Sequence, residues 1–269
     1  MKTDMIHEKG SGRINEDAVS LNGTLFGVFD GATSLTRAVY EDGKTGGYLA
    51  SRLARDTFLR NDAPLTGLAR MANNAIFEKM MEHGVNVTDK ASLWSTSCAV
   101  VRIGEDHIEW VQTGDSLLLL IYDDGTYHIP VTDYDHDRET LAMWKNLAES
   151  AGEKKIYEIL KDKILETRAG MNVNYGVLNG EDEFERFLNT GKTPKKRVKH
   201  ILLFTDGLFL PSDDPEREPD FDTFVALFLE GGLQFLRDHV RGMEMSDPDC
   251  KTFPRFKPHD DIAAVAISF

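Results

Sequence analysis

The chain has 269 residues, 41 % hydrophobic and 28 % charged, with a formal net charge of −14. That length and apolar content suit one large α/β domain or two small ones, and the acidic excess excludes a nucleic-acid backbone or an anionic membrane as the expected partner, because both select a basic stripe. Apolar runs break well before the roughly 18 residues of a membrane span, the start Met1-Lys2-Thr3-Asp4 lacks a signal-peptide core, and Cys98 and Cys250 make no disulfide framework, so a reducing cytoplasm is the expected setting.

In chain order, residues 18–29 read as β structure, followed by helices over 46–60, with Leu49, Leu53 and Phe58 at helical spacing, and over 65–82, with Leu68, Met71, Ile76, Phe77 and Met80. A meander spans 96–111 and 116–121, alternating in Ile108-Glu109-Trp110-Val111 and turning at Asp123-Asp124-Gly125. Helical character returns over about 137–166, broken near Gly152, and the Gly- and Asn-rich stretch 170–180 predicts irregular backbone. The basic run 192–199 reads as a solvated loop. Strands at 201–204 and 262–268 flank a helix from Phe221 to about Val240, interrupted at Gly231-Gly232, and the proline-rich segment 211–219 reads as an exposed loop. Mixed in this order, the elements predict an α+β fold: a four-layer α-β-β-α sandwich of two antiparallel sheets face to face with helices outside.

Asn15-Glu16-Asp17, Asp30-Gly31, Asp206-Gly207 and His259-Asp260-Asp261 each stand at one end of an apolar run, which delivers their carboxylates to a sheet edge. None has an evident cationic partner in sequence. Carboxylates converging there repel unless a divalent ion neutralises them, and oxygen-only ligands favour a hard ion such as Mg²⁺ or Mn²⁺. Because the clusters must meet, a single domain over residues 1–269 is expected. Ser95-Thr96-Ser97 lacks the surroundings of a nucleophile elbow and reads as a strand start. His259 has no second histidine at metal-ligand spacing, and Trp94, Trp110 and Trp144 read as core or edge aromatics.

Taken together, Arg13-x-Asn-Glu-Asp17, Val28-Phe-Asp-Gly31, Ser95-Thr-Ser97, Thr113-Gly-Asp-Ser116, Phe204-Thr-Asp-Gly207 and Asp260-Asp-Ile262 resemble, in order and spacing, the motifs of the 2C-type metal-dependent protein serine/threonine phosphatases, in a bacterial-like form. Each motif is weak alone; the ordered set is specific. The resemblance implies that Asp17, Asp30, Asp206 and Asp260, with the Gly31 carbonyl, hold two Mn²⁺ or Mg²⁺ ions, with Glu16 standing behind them. It implies hydrolysis of phosphoserine and phosphothreonine by a two-metal-activated water, on a phosphoprotein substrate such as that of a cognate Ser/Thr kinase. Arg13 is the expected phosphate clamp, because a planar guanidinium matches two phosphate oxygens. Asp115 matches a ligand for a third, weaker ion, whose usual partner is replaced by Leu210.

The chain diverges directly after Asp30-Gly31. Residues 32–45 read as an inserted loop that removes the family's general-acid histidine; its inner part, 37–44, has a lone Tyr40 and little apolar area with which to order itself, so that the loop is expected to be mobile and to select substrates, with Arg37 or Lys44 meeting the phosphate. A helical insertion over about 137–169 stands where family members carry substrate-side elements, and Tyr175 or Asn172 could border the groove. Two alternatives share the motif set: a two-metal hydrolase of a small phosphate ester, and a non-catalytic binding module of the same fold.

Overall fold

A computed structural model describes residues 1–269 apart from Thr33, Ser34 and Arg37, and Glu41 by its backbone only. Among the described residues, ten strands form two five-stranded antiparallel sheets. The first contains β1 (Lys2–Glu8), β10 (Ile262–Ser268), β9 (Val198–Phe204), β6 (Leu117–Tyr122) and β7 (Tyr127–His128), in that spatial order. The second contains β2 (Ala18–Asn22), β3 (Leu25–Gly31), β4 (Thr96–Ile103), β5 (His107–Thr113) and β8 (Asn189–Pro194).

The sheets face each other across an apolar layer that includes Val28, Val101, Leu120, Leu203 and Val265. Their central strands are apolar on both faces because each also carries a helical layer. Helices α1 (Gly46–Leu59) and α2 (Leu65–Glu82) cover the second sheet through Phe58, Leu68 and Ile76 against Phe29 and Val100. A single stripe on each helix suffices, since the opposite face meets water. Helices α3 (Arg138–Leu147), α4 (Ile156–Ile159) and α5 (Lys161–Ala169) gather around Trp144 and Ile156, with the 152 break at a glycine of φ +63°. Helix α6 (Phe221–Ser246) covers the first sheet through Phe224, Phe228 and Leu236. This is the expected four-layer α+β sandwich.

The N-terminal residues, to which the sequence assigns no element, form β1 at a sheet edge, with only Ile6 buried. Several local expectations are corrected. The basic run is a loop only over 195–197: Lys192, Thr193 and Pro194 close β8, where Lys192 pairs with Glu109 at 2.8 Å, proline is tolerated because β8 is an edge, and Val198 and Lys199 open β9. Helix α6 continues to Ser246, with Gly232 (φ +75°) absorbing its break. The loop after β3 does have apolar anchors: Leu35 packs on the Trp144 cluster, and Tyr40 lies edge-on to Trp94 at 4.7 Å.

Candidate active site

Strand direction brings the acids together. Asp17 precedes β2 and Asp30 nearly ends β3; because Ala18 pairs with Phe29 in an antiparallel register, both lie at the same end of their sheet. Asp206 follows β9 and Asp260 precedes β10, which pair antiparallel through Phe204 and Ala264, so these two share an end of the other sheet. Asp115 lies in the turn by which β5 of one sheet passes into β6 of the other, at Gly114 with φ +71°.

The two ends are stitched by hydroxyls. Thr205 Oγ1 donates to Asp17 Oδ2 at 2.7 Å and accepts from the Ala263 N–H at 2.9 Å. Ser97 and Ser116, from the two sheets, share a hydrogen bond at 2.7 Å beside Asp115. Asp261 is no ligand candidate: it is buried and accepts from the Gly10 and Glu16 N–H groups at 2.7 and 2.8 Å. Glu16 is buried behind Asp17 and accepts from Thr45 Oγ1, the cap of α1.

The glycines of the Asp-Gly pairs are required by close approach. A Cβ at Gly207 would stand 1.9 Å from the Asp261 carbonyl oxygen, and one at Gly31 would stand 2.4 Å from that of Gly47. Neither has a positive φ among the described residues. They are crossing points of backbone, not simple turns.

Electrostatics report the convergence. Burial, and then the charges of Asp17, Asp206, Asp115 and Asp260, push the Asp30 carboxyl well above the ordinary range. Burial and the charges of Asp260 and Asp115 do the same to Asp206, which lies within hydrogen-bonding reach of Asp30. Asp17 is raised by burial, and by Asp260 and Asp261, against the Thr205 bond. Carboxyls in this condition hold protons or require a cation. Among the described residues, no group of three or more acidic, histidine or cysteine side chains stands ready-made at the spacing of an ion cage. Hard oxygen donors that raise each other's pKa nevertheless suit a divalent metal chemically.

Asp115, Asp206 and Asp260 open into a cleft of about 630 Å³, with Asp17 and Asp30 outside its lining. Its walls include Asp115, Asp206, Asp260, Tyr134, Phe209, Phe256 and Lys257. The segment 211–219, expected as an exposed loop, forms part of the wall. His136 lines the cleft 3.8 Å from Asp115, stacked at 3.9 Å on Tyr175, while Asn172 is buried in a structural network with Asn179. Arg13, like Asp17 and Asp30, lies outside the cleft lining; it is exposed, with its guanidinium against Gly43. Arg37 lies outside the described residues. Lys44 lies away from the cleft, beside Tyr48.

The expectation that the acids have no cationic partner is corrected by Lys257, whose Nζ donates to Asp260 Oδ1 at 2.7 Å. A lysine three residues before Asp260 was the available signal. Cysteine chemistry is not prepared: burial pushes the Cys98 thiol up to about 12, and Cys250 is raised as well.

The sequence pattern of protein phosphatase 2C matches residues 7–239. The chain belongs to the protein phosphatase 2C family. The matched span stops before Asp260, so that residue's membership in the cluster rests on the geometry above. Solved structures of this family share the fold across the whole chain. Serine/threonine phosphatase Stp1 from Staphylococcus aureus is 13 % identical, with a TM-score of 0.61 over 100 % of this chain and 95 % of that one. The catalytic domain of the serine/threonine protein phosphatase PstP, in complex with two manganese ions, is 18 % identical, with a TM-score of 0.59 over 98 % and 96 %. The Ser-Thr phosphatase MsPP from Mycobacterium smegmatis, in complex with cacodylate, is 17 % identical, with a TM-score of 0.56 over 100 % and 98 %. No curated protein matches the sequence significantly. Among the described residues, no helix is long and apolar enough to cross a membrane.

Proposed function

We propose that this 2C-family chain is a metal-dependent phosphatase that hydrolyses phosphoserine and phosphothreonine in proteins, acting as one domain over residues 1–269 in a reducing cytoplasm. The observation that carries the reading is the convergence of Asp17, Asp30, Asp115, Asp206 and Asp260, from both sheets: burial and mutual repulsion raise Asp17, Asp30 and Asp206, and Asp115, Asp206 and Asp260 line one cleft. Asp17, Asp30, Asp206 and Asp260, with the Gly31 carbonyl, would hold two Mn²⁺ or Mg²⁺ ions, and Asp115 would reach a third. Bound divalent ions supply Lewis acidity and lower the pKa of water. The manganese in the PstP structure supports this choice of ion.

The chain's own residues do the positioning. Thr205 orients Asp17, Thr45 orients Glu16, and the Ser97–Ser116 pair fixes the turn that carries Asp115. Arg13 and Arg37 remain candidates for contact with the substrate. Asp137, Arg138 and Leu141 at the start of α3 and the segment 211–219 wall the cleft, which suits an extended phosphopeptide supplied by a Ser/Thr kinase. The test is a Mn²⁺- and Mg²⁺-titrated assay comparing a phosphothreonine peptide, p-nitrophenyl phosphate and small sugar phosphates. Metal-dependent peptide turnover is expected. Turnover of sugar phosphates alone would replace the reading with a small-ester hydrolase, and no turnover at any metal concentration would replace it with a binding module.

A further inference from the structure

One ammonium stands inside the acidic cluster. Lys257 is held within the cleft at 22 % exposure, bonded through Nζ to Asp260 Oδ1 at 2.7 Å. The cleft's arginines are engaged elsewhere: Arg138 with Asp135 and Glu218, Arg217 with Asp213, and Arg255 with Asp247. Lys257 alone among these lining cations is paired with a carboxylate of the candidate metal cluster.

The loop that carries it is built to hold a position. Asp247 accepts from the N–H groups of Lys251, Thr252 and Phe253 at 3.1, 3.1 and 2.9 Å, and from Arg255 Nη1 at 2.8 Å. Arg255 Nε donates to the Pro258 carbonyl at 3.2 Å, one residue beyond Lys257, and Phe256 packs on Tyr157 at 5.6 Å. A flexible four-carbon stem on so anchored a loop gives a cation whose location, and not only its charge, is set before a ligand arrives.

An ammonium beside Asp260 has opposite effects on the two charged visitors expected here. It repels a divalent cation placed on that carboxylate, and it attracts a phosphate dianion. Arg13, the cation expected for the second task, is exposed, with its guanidinium against Gly43. We propose that Lys257 is the positioning cation for the substrate's phosphate, supplied by the loop before β10, and that it holds that place at some expense of metal affinity. The inference rests on the phosphatase reading above and adds to it the group that receives the phosphoryl oxygens.

The experiment is calorimetric titration of the full chain, first with Mn²⁺ and then, once Mn²⁺-saturated, with inorganic phosphate. The parent, Lys257→Met, Lys257→Arg and Arg13→Met are compared, with thermal melts to establish folding. Lys257→Met is expected to bind Mn²⁺ at least as tightly as the parent but inorganic phosphate about ten- to a hundredfold more weakly, the range of one charged hydrogen bond. Lys257→Arg should recover most of the phosphate affinity, and Arg13→Met should lose less than Lys257→Met. Undiminished phosphate binding in Lys257→Met overturns the proposal and leaves the phosphatase reading standing. So does a Lys257→Met chain that loses Mn²⁺ binding, or that fails to fold while Lys257→Arg folds without phosphate affinity, since Lys257 would then act only as a structural counter-ion. A parent chain that takes up no Mn²⁺ overturns both readings together.

Discussion

Arg241, on the outer helix α6, holds Asp260 by its backbone: Nη2 donates to the Asp260 carbonyl at 2.7 Å. The same guanidinium donates to Glu8 at 2.9 Å and Glu244 at 2.7 Å, and Glu244 also meets His259 Nδ1 at 2.9 Å. A helix on the far side of the first sheet thereby sets the loop that presents both Asp260 and Lys257. Arg241→Met should leave Glu244 buried without its main partner and destabilise the protein by about 3–5 kcal/mol, read from denaturant midpoints. A loss below about 1 kcal/mol would mean that the network is surface-like.

Removing a carboxylate from the cluster should separate stability from function. Without metal, Asp30→Asn and Asp206→Asn each relieve repulsion and should melt about 2–4 °C above the parent at neutral pH, the shift expected from roughly 1 kcal/mol. Both should lose Mn²⁺ binding in calorimetry. Parent-like Mn²⁺ affinity in both variants would move the metal site elsewhere.

The pH dependence follows from the same groups. Asp30 and Asp206 have folded-state pKa values raised above the ordinary 3.8, so between the two values the folded chain binds more protons than the unfolded one. Their contribution therefore favours folding most at low pH and is lost as pH rises through the raised values. The metal-free parent should lose stability relative to Asp30→Asn as pH is raised from about 4 toward neutrality. Melting-temperature differences between the two proteins that stay flat over that range would show that Asp30 is not raised.

Backbone crossings at the site should reject even a methyl group. With Asp261 carbonyl oxygen 1.9 Å from where the Cβ would stand, Gly207→Ala must push apart the segments that carry Asp206 and Asp260. A cost of about 1–3 kcal/mol is expected, together with weakened Mn²⁺ binding. Gly125→Ala has open space around its Cβ, and the strain of its φ of +82° should cost stability without touching the metal site. Equal Mn²⁺ affinity in the two variants would count against the crossing's role in the site.

Much of the fold was legible because its central elements are buried on both faces or striped. Leu117–Tyr122 and Ile262–Ser268 are too apolar to be anything but covered strands, and Leu65–Glu82 carries its apolar residues on one helical face. The edges were not legible. β1 buries only Ile6 and β8 buries none of its residues, so neither leaves a hydrophobic period, and their strand character comes from pairing with β10 and β5. The acids were visible as ordered strand-end motifs, since antiparallel neighbours carry the start of one strand and the end of the next to the same edge. What surrounds them was decided only in three dimensions. Lys257 meets Asp260 because its loop is anchored on Asp247 and Arg241, while His136 lies on Tyr175 and 211–219 becomes a cleft wall through contacts between residues far apart in sequence. Local periodicity reports which face of an element is buried; it carries no information about where an irregular segment, held by long-range polar contacts, places its charge.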